Sequence, residues 1–367
     1  MTIDLASPLA FAHGPAAPNR FMLAPLTNCQ SHADGRLSDE EFRWLTMRAK
    51  GGFGAVMTCA AHVQRAGQGF PGQLGIFGDE HLPGLTRLAA AIKAEGSLAL
   101  AQLHHAGMRS PATLIGEAPL APSADEKTGA RALSTAETEA LAEDFIEAAV
   151  RAERAGFDGV EIHGAHGYVL CQYLSAETNR RSDRFGGSAE GRARIVGDIL
   201  AGVRARCRPD FLLGLRLSPE RFGLKLAEIL DLARQVMGSG RLDWLDMSLW
   251  DVFKIPVEEA FQQRPLLDWF TELPRGRTRL GVAGKIMSAA DARQVMARGA
   301  DFPIVGRAAI LHHDYARRAA TDADFRPIAT PVTRAHLAAE GLSPAFVEYM
   351  GNWPGFVADA ATAEAAA

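Results

Sequence analysis

One unit recurs along this chain: a helical stretch, a glycine, a short apolar run, then a polar or glycine-containing end. The apolar runs are Arg20–Ala24, Ala55–Cys59, Leu98–Leu103, Val160–Ile162, Leu212–Leu217, Trp244–Met247, Arg279–Ala283 and Phe302–Val305. Between them lie helical stretches opened by capping boxes at Ser38–Glu41 and Ser134–Glu137 and by a cap at Ser288–Asp291, and stopped by Gly51, Gly96, Gly156 and Gly299. Strands that alternate with helices must pair in parallel through crossovers, because a tight hairpin cannot return the chain in the same direction. About eight such units point to a closed (β/α)8 TIM barrel over residues 1–320. The alternative, an open doubly wound sheet, lacks a GxGxxG turn after any strand. Loops after the strands are longer than those before them, notably 61–80, 110–133 and 249–263. Residues 321–367 fall outside the repeat and form a C-terminal extension, with a short helix expected at Pro344–Met350, an aromatic tip at Trp353, and a frayed end. That extension is expected to pack on the barrel or on a partner subunit, which makes a homodimer the expected assembly.

Charge and cysteine usage narrow the function classes. A formal net charge of −4 favours neither nucleic acid nor an anionic membrane surface as partner. No run approaches the length of a membrane span, and the N-terminus lacks a basic, then apolar, leader pattern. Cys29, Cys59, Cys171 and Cys207 are far apart, with no C-x-x-C pair. That argues against a disulfide scaffold, a zinc site or a cysteine-held iron–sulfur cluster, and makes a reducing cytoplasm the expected location. The expected partner is a small molecule.

In a barrel the carboxyl ends of the strands converge on one mouth, so residues remote in sequence become neighbours. The sharpest stretch is the fourth strand, which runs into His163, His166 and Tyr168 beside glycines that admit a ligand. A single histidine there would most simply be a hydrogen-bonded structural residue; two histidines and a phenol within six residues favour chemistry. Around them stand Pro25, Leu26, Thr27, Ala60, Gln102, His105, Arg216, Gly284, Lys285, Gly306 and Arg307. Glu161 alternates with Val160 and Ile162 and so falls on the opposite strand face, which leaves the mouth without a carboxylate. That shortage disfavours a divalent-metal hydrolase, and Lys285 raises a Schiff-base aldolase as a further alternative. Arg216 inside an apolar strand needs an electron-rich partner. Glycines after the last two strands, with Arg307, match the place where barrels hold phosphate.

Residues 18–318 resemble the Old Yellow Enzyme family of FMN-dependent ene-reductases. The resemblance rests on Ala24-Pro25-Leu26-Thr27, on Gln102 to Gly107, on Glu161 to Tyr168, on the N-x-R-x-D-x-F-G-G-S run at 179–188, on Arg216 and on Gly306-Arg307. It implies a bound FMN, with NADPH or NADH as reductant in ping-pong turnover. Pro25, Leu26, Thr27, Ala60 and Gln102 would contact the isoalloxazine ring, and Arg216 would sit at its N1/O2 edge. Gly284, Gly306 and Arg307 would hold the phosphate. His163 and His166 would bind the carbonyl or nitro oxygen of a conjugated substrate, and Tyr168 would deliver a proton to Cα as hydride reaches Cβ. Cys29 and His105 would contact substrate. The 179–188 run would be structural, its Arg and Asp pairing to hold the loop behind Tyr168. The chain follows the threonine pattern at Thr27, and His104 stands where tryptophan is frequent in the family. Within the same fold the alternatives are oxidation or demethylation of a small amine or betaine, and a non-catalytic flavin-binding sensor.

Overall fold

In the computed structural model, which describes residues 4–358, eight parallel strands close into a barrel. They are β1 (Met22–Leu23), β2 (Ala55–His62), β3 (Leu98–His104), β4 (Gly159–Gly164), β5 (Leu212–Leu217), β6 (Trp244–Ser248), β7 (Arg279–Ala283) and β8 (Phe302–Val305). The ring closes where β1 pairs with both β2 and β8. The expected (β/α)8 barrel is the observed fold. Main crossover helices include α1 (Asp39–Lys50), α2 (Leu82–Ala94), α3 (Thr135–Arg154), α4 (Ala189–Arg206), α5 (Leu226–Gly238) and α6 (Ala289–Ala297). Both halves of the capping box are made at Ser134/Glu137 and at Ser288/Asp291, which satisfies amide groups that an uncapped helix leaves bare.

Period-two alternation sorts every strand into two faces. Val160, Ile162, Leu213, Leu215, Leu245 and Met247 point outward into one large apolar cluster with the helices. The inward residues stack in layers. At the floor, Met22, Leu98, Leu212, Trp244, Phe302 and neighbours pack against Leu9, Ala17 and Phe11 of the N-terminal segment. Above them lie polar residues, aligned by strand register: Gln102 opposite Glu161, His163 opposite Arg216, and Arg216 opposite Asp246. The two layers meet at Gly214, where a Cβ would stand 2.0 Å from Cε2 of the Trp244 indole. Gly214→Ala is therefore expected to push Trp244 off its seat and lower stability by about 1–3 kcal/mol in urea titration, the usual cost of overpacking.

After the barrel, helices at Tyr315–Thr321, Arg334–Ala339 and Pro344–Gly351 fold back toward the mouth. Arg48 donates to the Glu340 carbonyl at 2.8 Å, Ser343 N–H donates to Gln30 Oε1 at 3.0 Å, and the Phe346 ring packs edge-on against Trp44 at 5.4 Å. These contacts tie the tail to α1 and to the loop after β1. Residues 359–367, where a frayed end is expected, lie outside the described residues. No described helix is long and apolar enough to cross a membrane.

Candidate active site at the carboxyl ends of the strands

Glu161, expected from its alternation with Val160 and Ile162 to face away from the site, lies inside the barrel. The face opposite Val160 and Ile162 is the barrel interior, because those two residues turn out toward the helices. Glu161 is fully buried there, accepting from Gln102 Nε2 at 2.8 Å and from Trp244 Nε1 at 2.9 Å. A second interior carboxylate, Asp246, lies beyond the sequence argument altogether. Its Oδ2 stands 2.9 Å from Arg216 Nε, yet neither atom makes a hydrogen bond, so the contact is ionic and off the N–H axis. Asp246 is 0% and Arg216 5% exposed. Burial pushes both carboxyls above the ordinary range, and the nearby Arg216 cation pulls them back. Two acids and one guanidinium thus share a desolvated interior. The signal was present: Trp244, Asp246 and Ser248 alternate with Leu245 and Met247 and fall inward together.

Above this layer runs a line of three imidazoles. His104 Nδ1 lies 2.9 Å from His163 Nδ1, His163 Nε2 lies 3.0 Å from His166 Nδ1, and His166 Nε2 lies 2.7 Å from Ser248 Oγ. Arg216 reaches the same hydroxyl at 3.5 Å. Burial holds all three histidines well below their usual range, with the Arg216 and Arg109 cations adding to the effect at His163 and His166. They are neutral at neutral pH. Tyr168 closes the group: its ring stands 4.4 Å from His104 and 5.2 Å from His163. Arg109, absent from the sequence-derived set, lies over the Tyr168 ring at 4.7 Å and donates to the His166 carbonyl.

His105 does not join them. Its Nε2 meets Gln64 Oε1 at 3.0 Å, its Nδ1 accepts from Gly107 N–H at 3.0 Å, and Gly67 packs against the ring so tightly that a Cβ there would sit 2.5 Å from it. Burial drives its pKa down to about 3. Both of its nitrogens are spent on locking the loops after β2 and β3, so any contact with substrate would be made by the ring carbons. Lys285, on the loop after β7, pairs with Asp251 at 2.9 Å.

Thr27 and Cys29 sit on the loop after β1 and are partly buried. Burial raises the Cys29 thiol to about 11, so it stands as a neutral contact group. The tail brings Tyr349 beside Thr27, Cys29, Tyr168 and Trp353, where burial raises the phenol. Sequence reasoning placed no tail residue at the mouth. Among the described residues, the non-glycine positions with positive φ are Cys29, His166, Arg221, Phe222, Trp250 and Lys285, every one on a loop at this end of the barrel. Left-handed backbone of this kind costs about 1–3 kcal/mol per residue and gathers where function fixes the chain. The 179–188 run is tied elsewhere: Arg181 pairs with Asp183 and donates to Pro122 and Leu133 carbonyls, fastening it to the 110–133 insertion.

The donor set fits FMN. Arg216 is a buried guanidinium whose bonds are incomplete, suited to an anionic ring edge. At the rim, the side chain of Arg307, first residue of the short helix Arg307–Leu311, makes no hydrogen bond or ion pair among the described residues. Gly284 adopts φ +145°, and a Cβ there would meet the Trp250 carbonyl carbon at 2.8 Å, so the backbone turns in a space closed to other residues.

A profile of the NADH:flavin oxidoreductase / NADH oxidase family matches residues 5–324. A probable NADH-dependent flavin oxidoreductase of Bacillus subtilis is 38% identical over 83% of this chain and 84% of its own length. The NADH:fumarate oxidoreductase of Klebsiella pneumoniae is 34% identical over 86% of this chain, but the match spans only 36% of that longer protein. Among solved structures, morphinone reductase superposes with a TM-score of 0.78 at 28% identity, covering 92% of this chain and 93% of its own. The old yellow enzyme homologue of Zymomonas mobilis gives 0.78 at 27% identity, covering 89% and 94%.

Proposed function

The chain belongs to the NADH:flavin oxidoreductase / NADH oxidase family, which includes Old Yellow Enzyme, and from that membership we propose that it reduces the activated C=C bond of α,β-unsaturated carbonyl or nitro compounds. It is an oxidoreductase that uses FMN, with NADH or NADPH as reductant. The observation that carries the proposal is the juxtaposition, at one mouth, of paired neutral histidines and a phenol above a buried guanidinium.

The bound FMN supplies the chemistry of hydride transfer. Arg216 would hold the anionic edge of the ring; Pro25, Leu26, Thr27, Ala60 and Gln102 would line it; Gly284, Gly306 and Arg307 would hold the phosphate. Neutral His163 and His166 can each donate one N–H to a substrate oxygen, drawing electron density away from the C=C bond without placing a full positive charge beside Arg216. Tyr168, whose ring stands 5.2 Å from His163, would protonate the carbon next to the carbonyl. Cys29, pressed against Thr27 and the tail, would shape the pocket rather than react.

The test is a visible absorption spectrum of purified protein before and after anaerobic NADPH, then cyclohexenone. A yellow band that bleaches and returns with the enone is the expected result. Bleaching without return would reject the ene-reductase assignment and leave only the flavin reduction. In the proposed homodimer the tail would offer Trp353, which is 39% exposed, while Phe346 and Met350 stay buried in their own chain.

A further inference from the structure

We infer that His104 and Ser248 are positioning residues that set the tautomers of His163 and His166, so that both present N–H to the oxygen of a bound substrate. The inference rests on the ene-reductase reading for its substrate, and on the hydrogen-bond line for its geometry. A neutral imidazole carries a single N–H, so in a line of three each proton fixes the next. His104 has two nitrogens in different situations. Nδ1 faces His163 Nδ1 at 2.9 Å, whereas Nε2 is buried with no partner among the described residues. A proton on Nε2 would be a buried donor without an acceptor, and would make His163 supply the proton of the Nδ1 contact. A proton on Nδ1 leaves only an unused acceptor at Nε2, the smaller loss. His104 therefore donates from Nδ1, His163 Nδ1 accepts, and the His163 proton is driven onto Nε2, which points into the site.

At the other end of the line Ser248 decides. Its hydroxyl both accepts and donates. In the free site His163 Nε2–H donates to His166 Nδ1 at 3.0 Å, so the His166 proton lies on Nε2 and donates to Ser248 at 2.7 Å. An oxygen seated between the histidines takes over the His163 donor and leaves His166 Nδ1 facing a second lone pair. His166 answers by losing the Nε2 proton and gaining one on Nδ1, with no net change in charge, while the Ser248 hydroxyl rotates to donate to the emptied Nε2. Arg216, 3.5 Å from the hydroxyl oxygen, favours neither orientation over the other because it only donates. The positioning thus comes from one fixed donor, His104, and one reversible one, Ser248.

The experiment is long-range proton–nitrogen NMR of the FMN-loaded protein with 15N-labelled histidine, free and with para-chlorophenol, alongside a titration of the phenol by its absorption change. In the wild type, His163 is expected as the Nε2–H tautomer in both states, and His166 should pass from Nε2–H to Nδ1–H on binding. His104→Phe should give a mixture of tautomers at His163 and weaken phenol binding about tenfold, the loss of one hydrogen bond's worth of orientation. His104→Asn, which restores a side-chain N–H, should recover part of both. Ser248→Ala should leave His163 unchanged and hold His166 as a mixture. A wild-type His163 protonated on Nδ1 overturns the proposal without any variant, as does an unchanged His163 spectrum in His104→Phe. If the wild type binds no phenol, the ene-reductase reading has failed, and the His163 tautomer of the free protein still decides the role of His104.

Discussion

Arg216→Met is expected to yield a protein that loses its FMN during purification and unfolds about 3–5 kcal/mol more easily, the typical cost of removing one partner from a buried ionic group. Methionine keeps the volume and removes the charge. The site then lacks its interior cation, and Asp246 and Glu161 are left with no positive neighbour in a desolvated layer. The two losses separate by pH and by a second substitution. Both carboxyls already sit above the ordinary range because of burial, and without Arg216 they rise further. A group whose folded pKa is raised stabilises the fold below its unfolded pKa and loses that contribution as pH climbs through the folded value. The stability deficit should therefore be small below about pH 4, where carboxyls are protonated in the unfolded chain too, and full at neutral pH. Arg216→Met combined with Asp246→Asn should regain part of the stability, since one buried charge is gone, and none of the FMN retention. Denaturant titrations at acid and neutral pH, with flavin absorbance of the purified proteins, measure both. Equal stability of the single variant at the two pH values would show that the interior acids do not titrate against Arg216.

That expectation depends on a residue the sequence reading passed over, and the reason is physical. Strand order and helix limits are local properties, carried by period-two alternation and by caps such as Ser134/Glu137, so they are legible residue by residue. The inward layer of a barrel is not local. Whether an alternating acid meets cation or solvent depends on closure of the sheet, and on which face the helices cover. Glu161 was visible as alternating, but the sign of its face was misjudged. Asp246 was overlooked because its strand lacks histidine or glycine at the end. His105 shows how far such a contact can reach: adjacent to His104 and close to a glycine, it looks available, yet a residue 41 positions earlier, Gln64, takes its Nε2. His104, noticed only as a departure from tryptophan, turns out to anchor the imidazole line. Tyr349 could not be placed from sequence, because the path by which the tail reaches the mouth runs through single hydrogen bonds such as Ser343 to Gln30.

Tyr168→Phe should slow reduction of cyclohexenone by about 10²–10⁴-fold, the usual range for a lost general acid, while reduction of the flavin by NAD(P)H stays within about twofold. The phenol lies beside the histidines rather than in line with them, and its only close cation, Arg109, stacks on the ring face and donates to the His166 backbone. Removing one oxygen should therefore leave the imidazole line, the interior ion pair and the cofactor contacts in place. Stopped-flow absorbance reads the two half-reactions separately in one instrument. Enone binding should be nearly unchanged, because the proposed oxygen-binding donors are His163 and His166, and a nitro substrate, whose intermediate is a stable nitronate that can take its Cα proton from water later, should suffer less than the enone. Loss of both half-reactions together would mean that the ring orders the site instead of donating a proton. Equal slowing of enone and nitro substrate would point the same way. A selective loss with the enone would leave Tyr168 as the proton donor, held at the mouth beside His104 and His163 at the ends of β3 and β4.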